Sequence, residues 1–317
     1  MKVLIASKII GSQVKEPIEL FHNEGIEIIY LDEPITEERL INAMKGVQGM
    51  LVGDFPINRK VIESSKDLKI ISRVGVGVDK IDIKAASNMK VWVANTPGAN
   101  SEAVAELAFG LMLAISRKIP QTFRAVKEGK WPKFFGRQLF EKTLGIIGVG
   151  AIGKKVASIS KGYSMRVLGY DVNQDQEFAK KYNLTYVSLD TLLQESDYVN
   201  LHVPLIPETK DLINKDNLPL MKSTAYLINV ARGGVVNSKD LYLHLKESKI
   251  AGAALDVLDV EPLKKDNPLL SLDNVIITSH IGAFTVESMR YMGMIAAQNI
   301  ISVFKNKNPI YSVNKIT

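Results

Sequence analysis

The stretch TLGIIGVGAIGKKV, Thr143 to Val156, leaves the chain few folds to choose from. Gly148, Gly150 and Gly153 stand in GxGxxG spacing, directly after an apolar β-branched run and at the head of an amphipathic one. A strand that turns into a helix over such glycines is the opening of a parallel α/β sheet that binds a dinucleotide. Gly148 makes the tight turn, Gly150 lets the backbone approach a pyrophosphate, and Gly153 lets the helix pack close to the strand. Free N–H groups at the helix start then face the phosphates. The next strand, MRVLGYD, ends in Asp171, where an acidic side chain bonds both hydroxyls of a ribose. Val172 and Asn173 follow, with neither Arg nor Lys, so a 2′-phosphate would meet an unpaired carboxylate and NAD is expected over NADP.

Because this turn sits at Gly148 and not near residue 10, the nucleotide domain comes second. Before it, KVLIAS, EIIYLD, GMLVGD, KIISRV and KVWVAN alternate with amphipathic stretches such as TEERLINAMKG. Helical crossovers are what parallel strands require, so this rhythm is a first parallel sheet, ending near Asn95. From Thr143 the rhythm restarts and runs to NVIITSH, and VESMRYMGMIAAQNIISVFKN closes the chain as one long amphipathic helix. Between the two, TPGAN supplies turn chemistry, and Asn100 or Ser101 caps a long helix that Pro120 breaks. WPKFFGRQLF after it is aromatic and irregular, a connector or interface arm.

A chain of 317 residues, 46% hydrophobic and 23% charged, has room for roughly two domains with ordinary cores. Its 40 basic and 34 acidic residues are well mixed, and a net charge of +6 with no long basic block is not a nucleic-acid footprint. No cysteine is present, which excludes disulfides, thiolate metal sites and a cysteine nucleophile; no metal centre is expected. The apolar start MKVLIASKII is too short for a signal peptide, and LAFGLMLAI is far shorter than a membrane span. A cytoplasmic protein without membrane contact is expected.

Ligands of open α/β sheets bind beyond the carboxyl ends of the strands. Three polar residues stand there after the glycine turn: Arg232 behind TAYLINVA, Glu261 in LDVEP, and His280 at the end of NVIITSH. Of four histidines, His22 and His244 fall in helical patterns with solvent-facing or helix-end roles, and His202 closes NLHV with no evident acidic partner, a structural or cofactor-adjacent position. A carbonyl reduced by hydride needs a proton at oxygen, which histidine supplies near neutral pH if a carboxylate orients it. Arginine's planar fork matches a carboxylate and polarises the carbonyl beside it. Arg, Glu and His together are the chemistry of a 2-keto acid.

These motifs, together with RVGVGVDKIDI (Arg73 to Ile83), NTPGANSEAVAE, LHVPLIPET and ALDVLDVEP, resemble the D-isomer-specific 2-hydroxyacid dehydrogenases, in the branch of phosphoglycerate dehydrogenase and glyoxylate/hydroxypyruvate reductase. The resemblance implies two doubly wound, Rossmann-like parallel-sheet domains: an NAD-binding domain, 98–285, inserted into a flavodoxin-like substrate domain of 1–97 and 286–317. It implies His280 as proton donor or acceptor, Glu261 as its partner, and Arg232 as the clamp on the substrate. Arg73 and the backbone of Val76 and Gly77 are implied as further substrate contacts. Cofactor contacts are implied at Ala151, Ile152, Pro204, Thr209, Val230, Ala231, Arg232, Asp256, His280 and Gly282 beside the glycine turn and Asp171, with Asp256 meeting the nicotinamide amide. The arm at 98–140 resembles the family's homodimer interface.

Two departures bear on the substrate. Phosphoglycerate dehydrogenases often carry an arginine after the third strand, where this chain has Gly53 and the acidic Asp54; Arg73 is kept and Arg59 is near in sequence. The chain ends at Thr317, after the last helix, so no serine-binding regulatory domain and no feedback by serine are expected. The leading expectation is a phosphoglycerate dehydrogenase-like enzyme without that domain, with glyoxylate/hydroxypyruvate reductase as alternative. An NAD-sensing corepressor is the alternative of another class; it would retain the Arg, Glu and His set but usually has longer tails. Formate dehydrogenase fits poorly, because that branch replaces the glutamate with glutamine.

Overall fold

The computed structural model describes residues 1–7 and 9–316. They form two compact units, one of Met1–Asn100 together with the stretch from Ala283 onward, the other Ser101–Gly282. The seams lie three residues from the 97/98 and 285/286 seams read from the sequence. The TPGAN turn stays with the first unit because Thr96 exchanges hydrogen bonds with Gly75 and Ala99 joins that unit's core.

The first unit runs β1 (Lys2–Ala6), α1 (Glu16–Asn23), β2 (Glu27–Tyr30), α2 (Glu37–Ala43), β3 (Gly49–Val52), α3 (Arg59–Glu63), β4 (Ile70–Arg73), α4 (Ile83–Asn88) and β5 (Trp92–Ala94). Its strands pair in parallel in the order β2-β1-β3-β4-β5. Both faces are buried, as helix-covered parallel sheets require: Val3 and Ile5 of β1 enter one core with Phe21, while Leu4 and Ala6 enter the other with Leu40. Thr36, Asn58 and Asp82 cap α2, α3 and α4 by accepting from Arg39, Val61 and Ala85 amides, each contributing about 1 kcal/mol.

The second unit runs α5 (Ser101–Ser116), α6 (Ile119–Lys127), β6 (Thr143–Ile147), α7 (Ala151–Ser160), β7 (Arg166–Tyr170), α8 (Gln176–Tyr182), β8 (Leu184–Tyr186), α9 (Leu189–Glu195), β9 (Tyr198–Leu201), β10 (Tyr226–Asn229), α10 (Ser238–Lys246), β11 (Gly252–Leu255) and β12 (Val275–Ile277). Its parallel order is β12-β11-β10-β9-β6-β7-β8, so β6 lies at the point where the strand order reverses. Val104, Ala108 and Met112 of α5 bury one face against Leu144, Ile146 and Ile228. The α5 helix stops at Ser116, Lys118 turns left-handed, and Pro120 sits in the first turn of α6, where its missing N–H costs nothing. Among the described residues no helix is long and apolar enough to cross a membrane.

The chain then returns to the first unit as α11 (Val286–Phe304), which packs on β3 so closely that a Cβ at Gly49 would come within 3.0 Å of Ile300 and Phe304. Beyond α11 the chain covers the β5 edge: Val313 N–H donates to Val93 O at 2.7 Å. Asn314 fastens it, its Oδ1 accepting from Val93 N–H and its Nδ2 donating to Val91 O and Ser87 Oγ. Replacing Asn314 by Leu leaves a buried N–H and a buried C=O without partners, a loss of about 1–3 kcal/mol for each. Asn314→Leu is therefore expected to lower the melting temperature of the first unit by several degrees in calorimetry; an unchanged melt refutes the fastening.

Candidate functional site

The carboxyl ends of the second sheet carry, in spatial order, the residues after β12, β11, β10, β9, β6 and β7. After β6, Gly148 has φ +95°, and a Cβ there would lie 2.8 Å from the His202 carbonyl carbon. A Cβ at Gly153 would lie 2.1 Å from Gly148 O, so any other residue would push α7 off the turn. At Gly150, the N-cap of α7, a Cβ would meet nothing within 4 Å, and no side chain caps the helix. Gly150 therefore faces open space at the head of α7, whose first-turn amides have no acceptor within the helix, an arrangement that fits a pyrophosphate. Asp171 braces the turn from β7: its Oδ2 accepts from Val149 N–H at 2.7 Å and its Oδ1 from Asn173 N–H at 2.8 Å.

On the other side of β6, three segments interlock. Asp256 follows β11 and is buried; its Oδ1 accepts from Thr278 Oγ1 at 2.6 Å and Ile281 N–H at 2.8 Å, its Oδ2 from Gly282 N–H at 2.8 Å. His280 N–H donates to Asp256 O at 2.9 Å, and His280 itself stands at φ +56°, a conformation that costs a non-glycine residue about 1–2 kcal/mol. The turn holds the half-buried imidazole so that Nδ1 meets Glu261 Oε2 at 2.8 Å, while Glu261 Oε1 accepts from Leu258 N–H at 3.0 Å. The next segment abuts the loop after β10: a Cβ at Gly233 would come within 2.0 Å of the Leu258 carbonyl carbon. Arg232, directly before Gly233, donates from Nη1 to Ala231 O at 2.7 Å. Arg232, Glu261 and His280 thus stand on contiguous segments at one sheet edge.

The remaining sequence-derived positions divide. Val230 and Ala231 are buried behind Arg232, and Gly282 is fixed to Asp256. Thr209 closes the loop after β9, its hydroxyl donating to Pro204 O at 2.5 Å and accepting from Ile206 N–H at 2.9 Å. In the first unit, Arg73 ends β4 and pairs with Asp54 Oδ1 at 3.0 Å, and Lys80 reaches Asp54 Oδ2 at 2.6 Å. Arg73 also donates to Val74 O, and Gly75, at φ +143°, leaves room for its guanidinium. Asn95 holds Val76 O at 2.8 Å, and among the described residues neither the Val76 nor the Gly77 amide finds an acceptor. Arg59 pairs with Glu63 on the exposed side of α3.

Sequence reasoning passed over Asn229 and Thr278, small polar residues whose contacts are local staples. The signal available was a polar residue closing a buried strand just before an irregular loop. Of the two roles read for His244, the helix end holds and the solvent-facing one does not: it stands in the last turn of α10 but is buried, with Nδ1 3.2 Å from Asp240 O. His202 differs from His280 in its surroundings. Both its ring nitrogens are shut off from solvent and, among the described residues, have no partner. Burial pushes its pKa down to about 3.

Residues 109–282 match the family model described as D-isomer specific 2-hydroxyacid dehydrogenase, NAD binding domain. A D-3-phosphoglycerate dehydrogenase of Archaeoglobus fulgidus is 43% identical over 308 residues, 96% of this chain but 58% of the relative, so the chain spans little more than half of that protein. A glyoxylate reductase of Korarchaeum cryptofilum is 41% identical over 266 residues, 82% of this chain and 80% of the relative. A solved structure of a protein from Thermus thermophilus superposes with a TM-score of 0.91 at 31% identity, covering 99% of this chain and 100% of that one.

The shielded ring nitrogens of His202 give an acid-stability signature. Its folded pKa lies below the unfolded value of about 6.5, so the unfolded chain takes up the proton first. Stability is complete above about pH 6.5 and falls as pH drops toward 3, by a few kcal/mol at most. In denaturant titrations from pH 7 to 4, His202→Asn is expected to lose stability less steeply than the wild type; parallel slopes refute the buried neutral state.

Proposed function

Since the chain belongs to the D-isomer-specific 2-hydroxyacid dehydrogenase family, we propose that it interconverts a D-2-hydroxy acid and its 2-keto acid with NAD as the hydride carrier. The observation that carries the reading is the 2.8 Å pair of His280 Nδ1 and Glu261 Oε2 on the sheet edge that also bears Arg232 and the glycine turn. Pairing through Nδ1 assigns proton exchange with substrate to Nε2. Glu261 fixes the ring's orientation and favours its charged form, while two bonds hold the carboxylate itself, to Leu258 and to His280. Arg232 offers a permanent planar cation for the substrate carboxylate and the neighbouring carbonyl. We assign the amides of Val76 and Gly77, with Arg73, to anionic groups of the substrate.

The proposed cofactor contacts are the α7 amides for the pyrophosphate and Asp171 for the adenosine ribose, with Pro204, Thr209, Val230, Ala231, Asp256 and Gly282 toward the nicotinamide side. Bound there, NAD supplies or accepts the hydride. A 2′-phosphate would meet the Asp171 carboxylate, which supports NAD over NADP.

For the substrate's far end, 3-phosphoglycerate is supported by the 43% identical relative and by Arg73 and Lys80, two cations at the carboxyl ends of the first sheet. Asp54 between them favours a second reading, an unphosphorylated acid such as glyoxylate or hydroxypyruvate, because a carboxylate repels phosphate. NADH oxidation, followed by absorbance, is to be measured with phosphohydroxypyruvate, hydroxypyruvate, glyoxylate and pyruvate in parallel. Turnover of at least one is expected, and His280→Ala should lower its kcat by about 10²–10⁴-fold with NADH affinity little changed. Silence on all four acids, or full activity of the variant, overturns the reading.

We also propose a homodimer through the arm after α5. Arg137 N–H donates to Ser116 O and Leu139 is buried, so the arm is fastened at its end, yet Phe123, Trp131 and Phe135 stand 62%, 82% and 98% exposed. Aromatic surface held out in this way is characteristic of an interface. Sedimentation at micromolar concentration should give twice the 35.0 kDa chain mass. Trp131→Glu with Phe135→Glu should give the single chain; a monomeric wild type refutes the dimer.

A further inference from the structure

We infer that Asn229 is a positioning residue for Arg232, an inference that rests on the 2-keto acid reading above. Asn229 is the last residue of β10 and is 1% exposed. Its carboxamide does not face a ligand; both ends are committed to the loop that follows. Oδ1 accepts from Ala231 N–H at 3.0 Å and Nδ2 donates to Arg232 O at 2.9 Å. These two bonds bracket the peptide that joins Ala231 to Arg232 and fix its rotation. The carbonyl of that peptide, Ala231 O, accepts from Arg232 Nη1 at 2.7 Å. Asn229 thus sets the carbonyl that sets the guanidinium, without touching the side chain it directs.

Two further contacts give the loop no alternative place. Asn229 O accepts from Asp256 N–H at 2.9 Å, tying the end of β10 to the segment that holds the His280 turn. The Leu258 backbone against Gly233 blocks the loop from the other side. Arg232 itself is extended, at φ −147° and ψ 142°, so no local helical geometry holds its side chain. The side chain of Asn229 supplies, from a buried strand end, an acceptor for Ala231 N–H and a donor to Arg232 O, which also accepts from Val235 N–H at 3.3 Å. Asp at the same position keeps the shape and the acceptor toward Ala231, but turns the donor facing Arg232 O into a second acceptor.

The test is a double-mutant cycle on kcat/KM for whichever 2-keto acid the wild type reduces, using Asn229→Ala, Asn229→Asp, Arg232→Ala and the combinations. Misplacing a binding group by about an ångström costs up to about 10²-fold, so each Asn229 variant should lose about 10–10²-fold in kcat/KM. NADH affinity, read by fluorescence titration, should fall by less than about fivefold, because the glycine turn that holds the pyrophosphate is untouched although Ala231 is a proposed cofactor contact. In the Arg232→Ala background the same Asn229 changes should cost less than about threefold, since there is no guanidinium left to place. Equal losses in both backgrounds, or activity within about twofold of wild type, overturn the proposal. If Asn229→Ala melts without cooperativity, the isosteric Asn229→Asp decides; if neither folds, Asn229 is a residue of the fold alone and the proposal falls. A wild type that reduces no 2-keto acid sinks the reaction itself, whereas an active wild type with indifferent Asn229 variants sinks only the positioning.

Discussion

Asp256, one residue past β11, accepts from the Thr278 hydroxyl and from the Ile281 and Gly282 amides, and its own carbonyl takes the His280 amide. A carboxylate buried this deeply costs several kcal/mol in lost hydration, and here it is met by three donors in a turn built around it. Hydrogen bonds to a charged group contribute about 1.5–3 kcal/mol each, which exceeds the left-handed strain of about 1–2 kcal/mol at His280. The turn therefore stays in a shape it would not adopt in isolation. Through it His280 meets Glu261, Glu261 holds Leu258, and the Leu258 backbone limits the loop that carries Arg232.

Histidine chemistry in this sheet is decided by neighbours. His202 and His280 follow strands of the same sheet, β9 and β12, and carry the same ring. One is enclosed without any partner among the described residues and cannot hold a proton in the neutral range; the other is paired with a carboxylate and partly open. Moving a charge to His202 would need desolvation with nothing in return, while at His280 a partner is already in place. The division of labour follows from two environments on one edge.

Much of this was legible in the chain because it rests on periodicity and on glycines. Runs such as KVLIAS and TLGIIG, buried on both faces, name parallel strands, and Gly148 and Gly153 stand where a Cβ would strike backbone. Arg232, Glu261 and His280 were visible as polar residues closing apolar runs. What stayed hidden is what depends on rotation of single peptides: the Asn229 staple, the Thr278 hydroxyl on Asp256, and the closure of the Thr209 loop onto Pro204. The helix-end position of His244 was legible but its burial was not, because one turn of amphipathic pattern does not fix which side is covered.

The interrupted first unit bears on the order in which the chain acquires its shape. By residue 282 every strand of the second unit has been made, and its contacts close within one uninterrupted stretch. The first unit begins earlier yet needs α11 against β3 and Asn314 against β5, segments some two hundred residues downstream of the strands they cover. During synthesis from the amino terminus, the sheet of β1 to β5 waits with the face it shares with α1 only partly covered while the later unit completes. The domain that starts first is the one that finishes last.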